Sequence, residues 1–172
     1  VGAEPIALVD FILCRTADPG QSDAIRVGQR RGAELAENEN PGGEIAQLGD
    51  DDNGLELAGS AIGGVELDAS VTGDAIAPGD AIIGLPSSGL HSNGYTLARR
   101  ALADVALDAE RLGRPLGDVL LEPTEIYVKP VLELLGSGVE VRGLAHITGD
   151  GLNNQHRLGR DDGNANEAPL PP

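Results

Sequence analysis

The sequence predicts an α/β (α+β) chain built in two parts. Three observations point there. Apolar runs of strand length at residues 5–14, 81–85 and 139–147 each run into a turn rich in small, polar or proline residues. Stretches with helical apolar spacing separate them, and alternating strands and helices bury their faces best in layered α/β folds. The composition also shifts near residues 69–80, which marks a candidate boundary between two domains.

Taken in order, Pro5–Cys14 (PIALVDFILC) is nearly continuous in apolar residues and reads as a buried strand. Ala17–Gln21 is a turn. Ser22–Glu37 reads as a helix with Ser22 as N-cap, weakened by Gly28 and Gly32. Glu37–Gly43 (ENENPGG) is polar and is expected to break structure. Asp50–Gly54 is a tight turn or exposed loop. Leu55–Leu67 suits one or two strands with close backbone approach at its glycines. Ala69–Gly79 is a connector.

Ala81–Leu85 (AIIGL) then reads as a strand, Pro86–Gly89 as a turn and Ser92–Val105 as a helix. Glu122–Leu135 is a further helix with Thr124 as N-cap. Pro130 gives it a kink or a late start. Val139–Ile147 is a strand and Leu152–Leu158 a short helix. The tail from Gly159 to Pro172 is polar and Pro-rich, with little order expected.

The chain has 172 residues, 28 acids against 12 bases and a formal charge of −16. Such a field repels nucleic-acid phosphates, so nucleic acid is not an expected partner. Self-repulsion of this size is relieved by salt screening, which favours a halophile-like, high-salt cytoplasm over an ordinary acidic background. No apolar run approaches the roughly 20 residues of a membrane span, and no basic leader precedes one. The only cysteine, Cys14, sits in an apolar run and reads as a small core residue.

Two constellations carry chemistry. Pro86–Tyr95 (PSSGLHSNGY) lies between a strand and a helix, where free N–H groups at a helix start favour anions. Ser88, Ser92 and Asn93 add donors, and His91 could contact a phosphate or polarise a carbonyl. A plain helix cap with an exposed histidine is the competing reading. Ala145–Gly151 (AHITGDG) places His146, Thr148 and Asp150 at the lip of a glycine turn, with Gly149 and Gly151 allowing close approach to a ligand. A strand-ending turn with a core histidine competes there. Gly42–Glu44 is weaker, and Glu44 could bind a metal or a sugar hydroxyl. The acids at Asp50–Asp52 read as solvated charge. His91 and His146 are expected on one cleft.

The stretches VGAEPIALVDFI, GGEIAQL, LELAGSAIGGVE, GDAIIGLPSSGLHSNGYTLARRAL, LLEPTEIYVKPVLELL and LAHITGDGLNNQHRLG, in this order, resemble the aminoimidazole ribonucleotide synthetase family, also called phosphoribosylformylglycinamidine cyclo-ligase. The resemblance implies a two-domain fold truncated at both ends. Residues 1–68 would be part of an N-terminal ATP-binding and dimerisation domain, 69–160 part of a C-terminal domain, and 161–172 a polar tail. The implied reaction is ATP-dependent cyclisation of formylglycinamidine ribonucleotide to aminoimidazole ribonucleotide in purine biosynthesis. It implies ATP and Mg2+ as cofactors, no metal ligand that can be named, and a cytoplasmic homodimer without membrane or nucleic-acid partners.

By position, the resemblance assigns His91, Asn93 and His146 to catalysis. It assigns Glu44, Ser88, Gly89, Ser92, Thr148, Gly149 and Gly151 to substrate or phosphate. Ile45 stands where the family has Thr, Asp150 where it has Gly, and ENENP where it has an apolar strand. The alternative is a non-catalytic relative that keeps only a fold or pairing surface.

Overall fold

The computed structural model describes residues 1–48 and 54–158, and it is a mixed α/β structure. The chain divides into two compact units, Val1–Val71 with Ile126–Val141, and Thr72–Glu125 with Arg142–Pro172. Residues 126–141, grouped with the second half in the sequence division, therefore pack in the first unit.

The first unit is built on β1 (Glu4–Cys14), the middle strand of a three-stranded sheet. Its neighbours are β2 (Glu39–Gln47), parallel to it, and β3 (Leu55–Gly64), antiparallel. The parallel pairing needs a crossover, which is α1 (Pro19–Ala36). This helix starts three residues before the expected Ser22. Asp18 is its N-cap, with Oδ1 accepting the Gln21 N–H at 2.7 Å, and Pro19 opens the first turn. Proline tolerates that position because its missing N–H would be unpaired anyway.

The segment ENENPGG, expected to break structure, is instead the start of β2. The ladder with β1 pairs Ala7 with Glu39 and Val9 with Gly42, so Asn40 and Pro41 fall at a register shift. An edge strand with a bulge tolerates a proline that a central strand would reject. Residues 55–64 form one strand, and the turn expected at 50–54 lies outside the described residues except for Gly54.

The expectation that β1 is buried holds only in part. Alternate residues Asp10, Ile12 and Cys14 face α1, as the 2.6 Å hydrogen bond from Gln29 Nε2 to Asp10 Oδ2 shows, and Ile12 and Cys14 are buried. Cys14 is a core residue as expected. On the opposite face Val9 and Phe11 remain exposed, as does Ile62 opposite Ala7 on β3. The unit is completed by α4 (Val128–Gly136), whose Leu135 lies against Gly2. This helix begins late, with Pro130 in its first turn where no N–H is needed; Tyr127, not Thr124, precedes it. Lys129 reaches Glu37 at 2.7 Å. That hydrogen bond, then the Glu37 charge, holds the lysine above its ordinary pKa.

The second unit departs further from expectation. Residues 81–85 and 139–147 are not strands. A strand exists through its ladder, and among the described residues no partner segment supplies one. Ile82, Ile83 and Leu85 are left exposed. The helix expected at 92–105 is shorter, α2 (Tyr95–Ala101), where Gly94 at φ 94° precedes it. A hairpin of β4 (Glu110–Arg111) and β5 (Arg114–Pro115) and the short α3 (Leu116–Leu120) were not anticipated. Residues 151–158 form a 3-10 helix. Its last residue backs onto Gly73, where a Cβ would collide with the Leu158 carbonyl. The tail 159–172 lies outside the described residues. Among the described residues no helix is long and apolar enough to cross a membrane.

Candidate functional site

Both chemical constellations belong to the second unit, and its fold brings them together. A Cβ built on Gly149 would lie 3.7 Å from Asn93 Oδ1. The SNG turn before α2 and the TGDG turn before the 3-10 helix therefore face each other across a glycine that leaves room between them. Asn93, Ser92, His146, Gly149 and Asp150 are exposed, and Thr148 is half-buried.

His91 is held differently from an open catalytic base. Its φ is 56°, a left-handed conformation uncommon for a residue with a Cβ. Its Nε2 accepts the Ser88 N–H at 3.1 Å and the Glu125 N–H at 3.4 Å. Two N–H groups aimed at one ring nitrogen require that nitrogen to carry a lone pair, so the imidazole proton sits on Nδ1. Ser88 Oγ lies 2.9 Å from the same Nε2 and donates to the Pro123 carbonyl at 2.7 Å. His91 and Ser88 thus tie the PSSGLH turn to the segment Pro123–Glu125. Tyr95 adds a second tie, donating its hydroxyl to the Leu120 carbonyl at 2.6 Å.

Thr148 is pinned by a residue the sequence reading passed over. Asn154 Oδ1 accepts the Thr148 N–H at 2.6 Å and its hydroxyl at 3.2 Å. Asn154 is 1% exposed. Only its position in a polar run, NNQH, was visible in the sequence, and nothing local distinguishes a buried asparagine from a solvated one.

These bonds bear on the expected phosphate cradle. The N–H groups of Ser88, Asn93, Thr148 and Gly151 are all used inside the unit, the second on the Leu90 carbonyl and the last on the Thr148 carbonyl. The helix start invoked for anion binding belongs to α2, which has only seven residues. Glu44 lies in the first unit, exposed on β2 opposite Phe11. Its neighbour Gly43 packs against Asp10, so that glycine answers to the sheet. No group of three or more His, Cys, Asp or Glu that could hold a metal occurs among the described residues.

The class of protein is indicated by the stretch of chain that carries both constellations. Residues 77–156 match the family described as AIR synthase related protein, C-terminal domain. That match runs through residues 126–141, which the contacts of the fold place with the first unit. The chain is 54% identical to the phosphoribosylformylglycinamidine cyclo-ligase of Pyrococcus furiosus over 159 residues, covering 92% of this chain and 47% of that protein. It is 52% identical to the one of Thermococcus kodakarensis, with the same coverage, and 46% identical to the one of Methanothermobacter thermautotrophicus, covering 95% of this chain and 50% of that protein. Over nearly its whole length the chain is thus similar to phosphoribosylformylglycinamidine cyclo-ligases. It spans about half the length of the curated relatives it matches.

Proposed function

We propose that this chain is part of an enzyme that closes the imidazole ring of aminoimidazole ribonucleotide, by ATP-dependent cyclisation of formylglycinamidine ribonucleotide. The single observation that carries the reading is 54% identity over 159 residues to a cyclo-ligase. Identity of that extent, with the family match over residues 77–156 that include Asn93 and His146, supports the same substrate class. ATP would supply a phosphoryl group that turns an amide oxygen into a leaving group. The described loops direct four of their N–H groups inward and gather no metal ligands, so they do not by themselves fit ATP or Mg2+.

The residues of this chain hold and orient the substrate. Asn93 and His146, exposed on facing turns, act at the reacting end, with Ser92, Gly89, Gly149 and Gly151 shaping the approach. Fixing both ends of one molecule turns cyclisation into a proximity effect. His91 and Ser88 keep the first turn in place. Glu44 is assigned to substrate from the first unit. Residues 1–68 are proposed as part of the N-terminal domain of the whole enzyme and 69–160 as part of its C-terminal domain, with 126–141 packing in the first unit. A cytoplasmic homodimer is the proposed assembly, supported by the exposed apolar face of Val9, Phe11 and Ile62.

The test is a chimera in which this chain replaces the matched half of the Pyrococcus furiosus enzyme. Incubated with ATP, magnesium and formylglycinamidine ribonucleotide, it is expected to release ADP and aminoimidazole ribonucleotide. A folded chimera that binds ATP but forms no cyclised product overturns the proposal.

A further inference from the structure

We infer that Asn154 is a positioning residue that fixes Thr148 as a hydrogen-bond acceptor, so that the lip at residues 148–150 takes N–H or O–H donors of the substrate and not its phosphate. The inference rests on the cyclo-ligase reading for the identity of that substrate, and narrows the substrate-or-phosphate role the resemblance implied for Thr148.

Asn154 is too deeply buried to touch a ligand itself. Its Oδ1 receives both the main-chain N–H and the hydroxyl of Thr148. Reversing the amide would set its NH2 group against a donor N–H, so the geometry fixes which end faces the loop. Its Nδ2 is buried with no partner among the described residues. Buried donors are rarely left unpaired, so a fold that orphans this one while using the adjacent oxygen twice is held by the need for the acceptor.

The consequence falls on Thr148. Its one hydroxyl proton and its N–H both point inward to Asn154, which leaves the lone pairs of Oγ1 as what the hydroxyl offers outward. The Gly151 N–H is turned back to the Thr148 carbonyl at 3.0 Å. Asp150 is exposed beside it and, when ionised, accepts only; Asn153 Nδ2 donates to its Oδ1 at 3.5 Å. A carboxylate there opposes a second anion. The chemistry that fits is a polarised donor, either the amidine N–H groups or the ribose hydroxyls of the substrate.

The experiment uses the full chain and three variants, Thr148→Val, Asn154→Leu and Asn154→Asp. Hydrogen exchange at the Thr148 amide is slow in the parent and in Asn154→Asp, whose carboxylate oxygen takes the same two donors, and fast in Asn154→Leu. Equal exchange in all of them overturns the positioning role. Amide resonances of residues 148–151 are then followed with acetamidinium, ribose 5-phosphate, inorganic phosphate and formylglycinamidine ribonucleotide as separate probes. Acetamidinium or ribose 5-phosphate shifts them in the parent, and whichever does so identifies the donor as amidine or hydroxyl. Binding of that probe weakens about tenfold in Thr148→Val and in Asn154→Leu, the scale of one hydrogen bond to a charged or polarised group, and stays within about threefold in Asn154→Asp. Shifts with inorganic phosphate, a response to neither small donor, or a probe indifferent to Thr148→Val overturns the inference. If a small donor binds as described and formylglycinamidine ribonucleotide does not, the cyclo-ligase reading fails and the acceptor lip stands.

Discussion

Gly43 lies so close to the Asp10 carboxylate, across the β1–β2 ladder, that no Cβ fits between them. Asp10 is in turn held by Gln29 of α1 and by Asn40, whose Nδ2 approaches at 3.4 Å. Gly43→Ala must push the strands or this carboxylate aside. The expected cost is about 1–3 kcal/mol, as for other overpacked sites. Urea unfolding measures it, and an unchanged midpoint would show that the ladder yields freely.

The cap of α1 is a second point of sensitivity. Asp18→Ala removes the acceptor for the Gln21 N–H and is expected to cost about 1 kcal/mol. Asp18→Asn should recover most of that, because an amide oxygen caps equally well. Loss of stability in both variants alike would move the cause away from the cap.

The β4–β5 hairpin turns at Leu112 and Gly113, with φ values of 51° and 79°. Two residues of positive φ mark the turn type that favours Asn-Gly. Leu112 is 90% exposed, so its side chain gives little packing in return for the strain. Leu112→Asn is expected to stabilise the protein by about 0.5–1 kcal/mol, a part of the roughly 1–2 kcal/mol left-handed penalty that asparagine relieves. A destabilised variant, measured the same way, would reveal a packing role for the leucine.

Lys129 contributes a pH-dependent increment through Glu37. Its pKa is raised on folding, so this increment is complete below the unfolded lysine value of about 10.4. It is lost as pH rises through the higher folded value. The difference in stability between the parent and Lys129→Gln should therefore be constant from neutral pH to about pH 10 and shrink above it. Both partners are more than half exposed, so the increment is small and weakens with added salt. A difference that grows with alkalinity would contradict the pairing.

Salt should act on the whole chain in the opposite direction. With a formal charge of −16, screening relieves more repulsion than it weakens attraction across six exposed or half-exposed ion pairs among the described residues. The urea midpoint is expected to rise between low and molar potassium chloride. A flat midpoint would argue against the high-salt setting.

The parts of the fold legible in the sequence were those whose local signal and tertiary role agree. PIALVDFILC and LELAGSAIGG are strands because their residues suit a pleated surface and find each other in the sheet. The start of α1 was read three residues late, at Ser22, because ADPGQ has the composition of a turn although Asp18 caps the helix within it. ENENPGG reads as a breaker because proline and glycine dominate it, and only its edge position and bulge make it β2. AIIGL and VEVRGLAHI show the reverse, apolar runs whose pairing partner is missing among the described residues. In the site, the expectation was one cleft for His91 and His146 rather than the approach of Gly149 to Asn93, and only the glycine turns were visible from sequence. The inward turn of His91 Nε2 and the burial of Asn154 were not, since both depend on contacts from segments that sequence alone does not place.

The return of residues 126–141 to the first unit has a consequence for synthesis. A ribosome makes the chain from its N-terminal side onward, so β1, α1, β2 and β3 all emerge before α4 is made. Closing a unit over so long an intervening stretch carries loop entropy that rises slowly with length, and pairings distant in sequence form late. Until Leu135 arrives, Gly2 and the flank of α1 are left without the helix that covers them. The nascent sheet then carries apolar residues on both faces, which is the stage at which a growing chain associates with its neighbours most readily. The acidic surface of the same segment, repelling other copies of itself, is the protection available during that interval.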